Sequence, residues 1–463
     1  MCIVISIITC ILMILSIIFY PSIKIKNIKI SLYWIICLIG AIILICFQQV
    51  DFNDIKNEFI NNSSINPLKI LILFFSMTFI SIFLDEVGFF KLIAIKILSK
   101  VNNKQITLFI CLYFLVAILT VFTSNDIIVL TFTPFICYFC KNAGINPLPY
   151  LVGIFISSNT YSMMFIIGNP TNIYLATSQG IDFISYFKIM FIPTILSGLI
   201  EFIILILLFR KNLNDKILSR EIEKQEYNKF LIIIGLIHLF ICLIFLIISS
   251  YLNIEMYLIS LISALSLLII SFIYFIVKKI KLSKYLDILK RLPFELIPFM
   301  LSMFIIVLAL NKQNIPSLIS NYLNNGNEII NYGISSFLMC NVMNNIPMSV
   351  FYASIINIGD LKATYSTIIG SNLGAFLTPI GALAGIMFTS LLKKYDVKYT
   401  FLDFIKYGGI ISIPTLLVAL FSLMLYLLII SFLEFSLTVK INFDFFATIG
   451  TINFLYILPK SLY

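Results

Sequence analysis

Apolar stretches of about twenty residues recur along almost the whole chain, and they limit its fold more than any other feature of the sequence. A helix needs about 20 apolar residues to cross a bilayer. Only 11% of the residues are charged, against roughly 25% in a soluble domain. This excludes a soluble enzyme, a disordered chain and a nucleic-acid binder. We interpret ten stretches as membrane crossings: 1–20, 31–48, 66–87, 148–178, 186–209, 230–250, 254–277, 293–310, 364–392 and 403–434.

Two further apolar stretches, 106–141 and 330–358, are interrupted near their middle by polar residues. Polar backbone at membrane depth is tolerated only where it is buried in protein or lines a cavity. We therefore predict two re-entrant hairpins, each of which enters and leaves on the same side of the membrane. The predicted fold is an all-α polytopic membrane protein with 10 or 11 full crossings and two hairpins. The interruptions are Thr123-Ser124-Asn125-Asp126 and Asn344-Asn345-Ile346-Pro347.

The basic residues support this topology. If neither hairpin counts as a crossing, 23 of the 31 Lys and Arg residues fall on one side of the membrane. An excess of Lys and Arg marks cytoplasmic loops, so this side is the cytoplasm. We predict a multi-pass protein of the plasma membrane with its N-terminus outside. The net charge of +10 then reflects orientation in the bilayer and not affinity for nucleic acid.

The two halves of the sequence share an order of short motifs. Ser158-Asn159 precedes Gly168 in the first half, and Ser371-Asn372 precedes Gly381 in the second. The predicted hairpins open to opposite sides, so the halves would form an inverted repeat, with broken helices that meet near the membrane midplane. This design is common among secondary transporters.

The repeats divide the chain into four parts. Residues 1–209 form the first repeat, with the hairpin 106–141 and a broken helix at 148–178. A charged cytoplasmic linker covers 210–229. The second repeat, 230–434, contains the hairpin 330–358 and a broken helix at 364–392, and 435–463 is a C-terminal extension.

We predict a binding site where the hairpin tips and the broken helices converge. Gly and Pro unwind helices there and free backbone polar groups. Asn, Ser and Thr add small neutral donors and acceptors, which suit a small polar solute or a cation. The alternative is that small residues only allow close helix packing. The candidates are Ser124, Asn125, Asp126, Ser158, Asn159, Gly168, Asn169, Asn172, Asn344, Asn345, Ser371, Asn372, Thr378 and Gly381.

Asp126 is the candidate for proton coupling. A carboxylate at a membrane-buried tip is costly and indicates a function, either carrying a proton or ligating a cation. The alternative is that Asp126 caps the second hairpin arm. Glu201 is the other mid-span acid, and we expect a structural role for it because the second half has no matching acid. Asp85 and Glu86 are expected at a solvated helix end. Basic residues are nearly absent from the predicted core, which favours a neutral or cationic solute without excluding an anion.

The sequence contains no nucleophile–base set and no metal-ligand cluster, so an enzyme is not expected and no cofactor or metal is predicted. The nine cysteines lack the spacing of a disulfide framework and are interpreted as small buried apolar residues. Cys137, Cys140 and Cys340 are a weak candidate for a thiol site, because three thiolates would bind a metalloid too tightly for release.

Several motifs together resemble the arsenical pump membrane proteins, which are arsenite/antimonite efflux permeases of the ion transporter superfamily. The resemblance covers about residues 20–430. Before Gly168, however, this chain has Phe165-Ile166-Ile167 where the family usually has a Thr-Pro pair. The motifs are Phe83–Phe90, Ser124-Asn125-Asp126, Gly168-Asn169-Pro170-Thr171-Asn172, Met343–Pro347, Gly370–Gly374 and Thr378-Pro379-Ile380-Gly381.

The resemblance implies a secondary active transporter that exports arsenite or antimonite, in exchange for protons or driven by the membrane potential. It also implies pairing with a soluble ATPase, and a homodimer is left open. The expected partners are a small inorganic or organic solute, a coupling proton or sodium ion, and the lipid bilayer. One alternative is a cation-coupled carboxylate transporter of the citrate or dicarboxylate type. A second is a passive channel or a non-transporting membrane scaffold.

Overall fold

The computed structural model describes residues 1–20, 22–25, 28–60, 66–100, 104–217, 227–279 and 282–456. Within these residues the chain forms twenty α-helices and two short antiparallel strands, β1 (Ser22–Ile25) and β2 (Ile28–Ser31). The strands are the one departure from the predicted all-α fold. Residues 218–226 of the predicted linker and 457–463 of the predicted extension lie outside the described residues.

The first ten helices are α1 (Cys2–Phe19), α2 (Leu32–Cys46), α3 (Phe52–Ile60), α4 (Pro67–Glu86), α5 (Phe89–Lys100), α6 (Gln105–Phe122), α7 (Asn125–Ala143), α8 (Leu148–Tyr161), α9 (Pro170–Ser178) and α10 (Phe183–Leu213). A single 3-10 turn, Ile166–Gly168, lies between α8 and α9. The other ten are α11 (Lys229–Leu252), α12 (Met256–Val277), α13 (Leu282–Lys290), α14 (Leu296–Lys312), α15 (Ile315–Leu323), α16 (Glu328–Met343), α17 (Asn345–Ile355), α18 (Leu361–Gly374), α19 (Leu383–Lys394) and α20 (Phe401–Tyr456).

Six of the described helices are long and apolar enough to cross a membrane, namely α4, α6, α10, α11, α12 and the 401–430 part of α20. The apolar helices α1 and α2 are shorter than the predicted crossings 1–20 and 31–48. Large apolar side chains of α11 and α12 are exposed, as a lipid-facing surface requires. The polytopic helical membrane fold is thus confirmed, whereas the number of crossings and the side of the N-terminus stay predictions.

The predicted crossing at 293–310 corresponds to α14, and a sharp bend follows it that the sequence analysis did not predict. Helix α14 continues to Lys312, and the chain then bends by 82° into α15. Asn314 adopts the left-handed conformation with φ of 54°, and Pro316 lies in the first turn of α15. Proline lacks an amide hydrogen and disfavours helical geometry in the residue before it, so α14 cannot continue through this point.

The chain breaks within all four stretches in which the sequence predicts an interruption. Helix α6 ends before Thr123, and α16 ends at Met343. The predicted broken helices separate into α8 and α9, and into α18 and α19. Pro170 begins α9, where its missing amide hydrogen costs nothing. Each break leaves helix ends inside the bundle, and their free backbone groups need partners there.

The two arms of each interrupted stretch start and finish at the same end of the bundle. Tyr150, at the start of α8, donates to the Gln105 Oε1 atom at the start of α6, at 3.1 Å. Helix α7 ends only five residues before α8 begins, so its end lies near the start of α6. In the second stretch, the rings of Tyr332 on α16 and Tyr352 on α17 lie 6.3 Å apart.

Equivalent elements of the two halves pack in equivalent pairs. Helix α6 packs on α8 as α16 packs on α18, and α7 packs on α19 as α17 packs on α9. Helix α10 packs on α8, α20 packs on α18, and α10 and α20 contact each other. Gly370 of α18 is essential to one pair, because a Cβ atom there would collide with the carbonyl of Gly333 on α16.

Candidate solute site at the broken helices

Asn372 is the centre of a buried hydrogen-bond network that joins the two broken helices. Its Oδ1 atom accepts from the Ser162 hydroxyl and the Asn169 amide, both at 3.0 Å. Its Nδ2 atom donates to Asn172 Oδ1 at 2.7 Å and to the Ile368 carbonyl at 2.8 Å. Asn372 has no exposed surface. One side chain of the second half thus holds three residues of the first.

Three more contacts complete this network. The hydroxyls of Thr171 and Ser371 lie 3.3 Å apart across the two halves. Asn172 donates to the Ser162 carbonyl at 2.9 Å, which satisfies a free group at the C-terminal end of α8. Asn169 caps α9 by accepting from the Thr171 backbone amide. The unwound segments are therefore held by neutral amides and hydroxyls.

Gly168 lies where the chain folds back on itself between α8 and α9. A Cβ atom at this position would overlap the Ser162 carbonyl, which is backbone and cannot rotate away. Glycine is therefore required here by close approach of the chain and not by a positive φ. Gly168 thus shapes the break between α8 and α9, and its role in binding a solute stays a prediction.

The tip between α6 and α7 contacts the same region. Asn125 Nδ2 donates to Asn159 Oδ1 of α8 at 3.1 Å. Asn125 is 1% exposed, and its Oδ1 atom has no hydrogen-bond partner among the described residues. A buried carbonyl oxygen without a partner is costly, so Asn125 presents an acceptor that a bound molecule would satisfy. Ser124 occupies the N-cap position of α7 but makes no capping bond with its side chain.

Asp126 lies in the first turn of α7 and is partly buried. The prediction that it caps the hairpin arm is wrong, because Ser124 is the N-cap residue. Its carboxylate makes no hydrogen bond or ion pair within the described part of the chain. A negative charge in the first turn is favoured by the helix dipole. Asp126 thus remains the candidate for binding a proton or a cation at the tip between α6 and α7.

The second tip, between α16 and α17, forms its own cluster. Asn344 Nδ2 donates to the Ile380 carbonyl at 2.9 Å, and the Asn345 backbone amide donates to the Gly381 carbonyl at 3.0 Å. Thr378 Oγ1 donates to Asn341 Oδ1 at 2.7 Å. Asn344 has φ of 72° and ψ of 153°, a backbone conformation that residues other than glycine rarely adopt.

The structure therefore assembles eleven of the fourteen predicted residues into two clusters, and the side chains of Ser124, Asp126 and Ser158 make no hydrogen bond to either cluster within the described part of the chain. Ser158 donates only to the Phe155 carbonyl of its own helix. Sequence reasoning missed Ser162, Thr171 and Asn341, which bridge the breaks. The sequence signal that could have identified these three residues is that they are polar and lie at or near helix ends. Asn341 Nδ2 also donates to the Gly374 carbonyl at 3.0 Å, and this contact links the second cluster to the end of α18.

Charged side chains lie at the ends of the bundle. Arg291 contacts Asp85 at 2.5 Å and Glu86 at 2.7 Å. Thr131 of α7 donates to Asp85 at 2.6 Å, and the Asp85 side chain is 9% exposed. The prediction of a solvated end is therefore wrong for Asp85. No Lys or Arg hydrogen-bonds to the fourteen candidates within the described ranges, so the site is electrically neutral apart from Asp126.

No group of three or more His, Cys, Asp or Glu residues with metal-binding geometry occurs among the described residues. The nine cysteines are free thiols, and Cys340 donates to the Phe337 carbonyl of its own helix at 3.2 Å.

Apolar helices that enclose buried polar groups at broken helices are the design of secondary transporters. A family model described as "Citrate transporter", CitMHS, matches residues 12–367. The chain belongs to this family, and its relatives are transporters.

Curated relatives match over most of their length. The putative arsenical pump membrane protein of Bacillus subtilis is 25% identical over 378 residues, covering 74% of this chain and 83% of the relative. The arsenical pump membrane protein of Escherichia coli K12 is 25% identical over 371 residues, covering 76% and 85%. The 46 kDa membrane protein of Mycobacterium leprae is 23% identical over 418 residues, covering 84% and 92%. The predicted resemblance to the arsenical pump family is confirmed at this level.

A solved structure shares the fold. The YdaH transporter of Alcanivorax borkumensis aligns with a TM-score of 0.54 and 10% identity, covering 92% of this chain and 97% of that one. At this identity the likeness concerns the fold alone.

Proposed function

We propose that this secondary transporter exports trivalent arsenic or antimony hydroxides from the cell. The unpartnered Oδ1 atom of Asn125 carries the proposal, because it is a buried acceptor in an otherwise satisfied neutral network. Arsenite at neutral pH is an uncharged molecule with three hydroxyls that donate and accept hydrogen bonds. A hydroxyl of this solute would satisfy Asn125 without adding a charge to the site.

The surrounding groups suit the same solute. Asn159, Asn345 and Ser371 belong to neutral clusters that are buried at the helix breaks. A multiply charged anion placed among them would have no Lys or Arg contact among the described residues. Burying such a charge without a partner is very unfavourable. The relatives that are named arsenical pump membrane proteins support the same solute class.

Coupling in this proposal depends on Asp126. Its carboxyl lies in the first turn of α7, at the hairpin tip that also carries Asn125, and would exchange a proton against the solute, with protons moving inward. The inverted repeat and the two re-entrant hairpins are part of the proposal. Their support is the equivalent packing of α6–α8 with α16–α18 and of α7–α19 with α17–α9. A plasma-membrane location with the N-terminus outside, a soluble ATPase partner and a homodimer stay predictions.

Arsenite efflux tests the proposal directly. Cells that lack their own arsenite exporter should survive arsenite better when they make this chain. The variant N125A should remove this protection at equal membrane expression, because the buried acceptor is lost. N146A is the matched control, since Asn146 lies exposed in the α7–α8 loop and only accepts from the Leu148 amide. If cells that make N125A survive arsenite as well as cells that make the wild type, the Asn125 acceptor does not bind the solute.

The variant D126N tests proton coupling separately. It should abolish arsenite accumulation driven by a proton gradient in inside-out vesicles while the protein remains in the membrane. D215N is the control, because Asp215 is an exposed acid of the predicted linker. If D126N transports as fast as the wild type under the same gradient, Asp126 does not carry the coupling proton. Accumulation of solute against its gradient would also exclude a passive channel or a scaffold.

A cation-coupled carboxylate carrier is the second candidate. The description of the matching family favours it, and so do the N-terminal ends of α7, α9 and α17 at the site, which favour anions. Vesicles given arsenite, antimonite, citrate or succinate under proton or sodium gradients distinguish the two. Sodium-dependent citrate uptake without arsenite transport would replace the arsenite proposal by this one.

A further inference from the structure

A second carboxyl group is buried inside the first half of the bundle, away from the hairpin tip. Glu201 of α10 has no exposed surface. Its Oε1 atom accepts from the Thr160 hydroxyl of α8 at 2.5 Å, and its Oε2 atom lies 3.5 Å from the Tyr113 hydroxyl of α6. No Lys, Arg or His contacts it within the described ranges. A carboxyl in such surroundings is a functional candidate in a membrane protein.

The hydrogen-bond distances around Glu201 suit a protonated carboxyl. Tyr113 has one hydroxyl hydrogen, and the Gly198 carbonyl lies nearer to it, at 2.7 Å. That hydrogen therefore goes to Gly198, and a lone pair of the Tyr113 oxygen is left to face Glu201 Oε2. This lone pair can accept a hydrogen bond from a protonated carboxyl. Thr160 meanwhile donates to the Oε1 atom of Glu201. When Glu201 is a neutral acid, Oε1 therefore accepts a hydrogen bond and the protonated Oε2 donates one.

The elements packed against Glu201 supply no compensating charge. Tyr113 of α6 and Tyr161 of α8 are the titratable groups that face it. Helices α11 and α20 also pack on α10, and they contribute no charged partner among the described residues. An ionised carboxylate with hydroxyl partners alone would lack compensation for its lost hydration. This arrangement of α6, α8 and α10 favours the neutral form.

We infer that Glu201 is a second proton-binding site, which holds a proton while α6, α8 and α10 are packed together and releases it when they separate during transport. Thr160 directly follows Asn159, which accepts from Asn125 at the hairpin tip. Tyr113 lies on the other arm of the same hairpin stretch. Movement of either helix would remove a hydroxyl from Glu201 and admit water, in which the carboxylate is stable. This inference deepens the proposed proton-coupled transport and rests on it, and it replaces the structural role expected from sequence.

The variant E201Q separates a proton carrier from a structural hydrogen-bonding group. Gln keeps the shape of the neutral acid and can still accept from Thr160, but it cannot release a proton. In vesicles that contain the full chain, proton-driven arsenite flux should fall by roughly tenfold or more. Exchange of labelled arsenite without a proton gradient should persist. E255Q is the control, because Glu255 pairs with Lys69 near the α11–α12 loop. Wild-type proton-driven flux in E201Q would overturn the inference.

Infrared spectroscopy gives a readout that needs no transported solute. The difference spectrum between purified wild type and E201Q should contain the carbonyl band of a protonated carboxyl. This band should lose intensity in the wild type as the pH is raised from neutral to alkaline. Its absence, or a band that never changes with pH, would overturn the inference. Failure of arsenite transport in the wild type would refute the proposed solute and leave this titration intact.

Discussion

Gly168 shows how one missing side chain determines the shape of the site. The chain turns back between α8 and α9 so closely that a Cβ atom would overlap the Ser162 carbonyl. The same carbonyl accepts from Asn172, which in turn accepts from Asn372. A disturbance at Gly168 would therefore pass into the network that joins the two halves.

The substitution G168A should destabilise the protein by about 1–3 kcal/mol, because backbone must move to make room for the methyl group. Thermal melting in detergent measures the change. G409A is the matched control, since its methyl group would lie 3.8 Å from the nearest atom, Leu377 Cδ1, inside α20. Alanine in an open helical position changes stability by about 1 kcal/mol or less, in the favourable direction. Equal melting of G168A and wild type would contradict the close approach.

Asn372 carries the second prediction at the residue scale. N372A would leave the Asn169 side-chain amide without its acceptor and the Asn172 Oδ1 atom without its nearest donor in a fully buried region. Each unsatisfied buried group costs about 1–3 kcal/mol, so we expect a clear loss of stability together with loss of transport. S178A, which removes a buried hydroxyl bonded within α9, is the comparison and should melt close to wild type. A similar melting temperature for both variants would argue against the central position of Asn372.

At the scale of elements, an ion-pair cluster holds the end of α4 against α7 and α13. Arg291 follows α13 directly and contacts Asp85 and Glu86, while Thr131 of α7 donates to Asp85. These contacts join three helices that are far apart in the sequence. Asp85 is mostly buried, so its carboxylate depends on Arg291 for its charge partner.

The variant R291M should lower the stability by roughly 1–3 kcal/mol, because it leaves a mostly buried carboxylate unpaired. K290M is the control at the neighbouring position. Lys290 pairs with Asp287 on the exposed side of the same helix, and such pairs contribute about 0.5 kcal/mol or less. Adding D85N to R291M should recover part of the loss, as chemical denaturation of the single and double variants can measure. If the double variant is no more stable than R291M, the loss of stability in R291M does not come from the unpaired charge of Asp85.

At the scale of the whole molecule, the inversion of the two halves is a prediction about membrane topology. The loops at Gly144 and Gly359 are suitable positions for testing this inversion. Neither glycine has an atom within 4 Å of the place where a Cβ atom would lie, so both loops are open. Gly144 follows the first hairpin stretch and Gly359 follows the second. The inversion requires that these loops face opposite sides of the membrane.

Epitope tags inserted after Gly144 and after Gly359 should therefore label differently. We expect the tag at Gly359 to bind antibody in intact cells, and the tag at Gly144 only after permeabilisation. A tag after Asn214 is the control for the inner side, because the neighbouring Lys216 forms a backbone bridge with Lys104 at the start of α6. Labelling of both loops from the same side would contradict the inverted repeat.

The positions of helices and breaks were accessible from the sequence because they depend on local chemistry. A run of apolar residues predicts a helix in lipid whatever its neighbours are, and Asn344, Pro170 and Gly168 interrupt helices through their own backbone properties. The short strands β1 and β2 and the bend at Asn314 were missed. Both lie at the margins of apolar runs. The local conformational preferences of the residues are weak there, and packing determines the backbone conformation.

The sequence by itself therefore determined the membrane fold, the four interrupted stretches and the set of polar residues near them. Only the tertiary structure decided which of these residues meet. The bonds of Asn372 to Ser162 and Asn169, and the enclosure of Glu201 by Tyr113 and Thr160, join side chains from separate helices. Such contacts depend on how helices approach each other in space. The residue pattern within a single helix contains no information about how that helix approaches another.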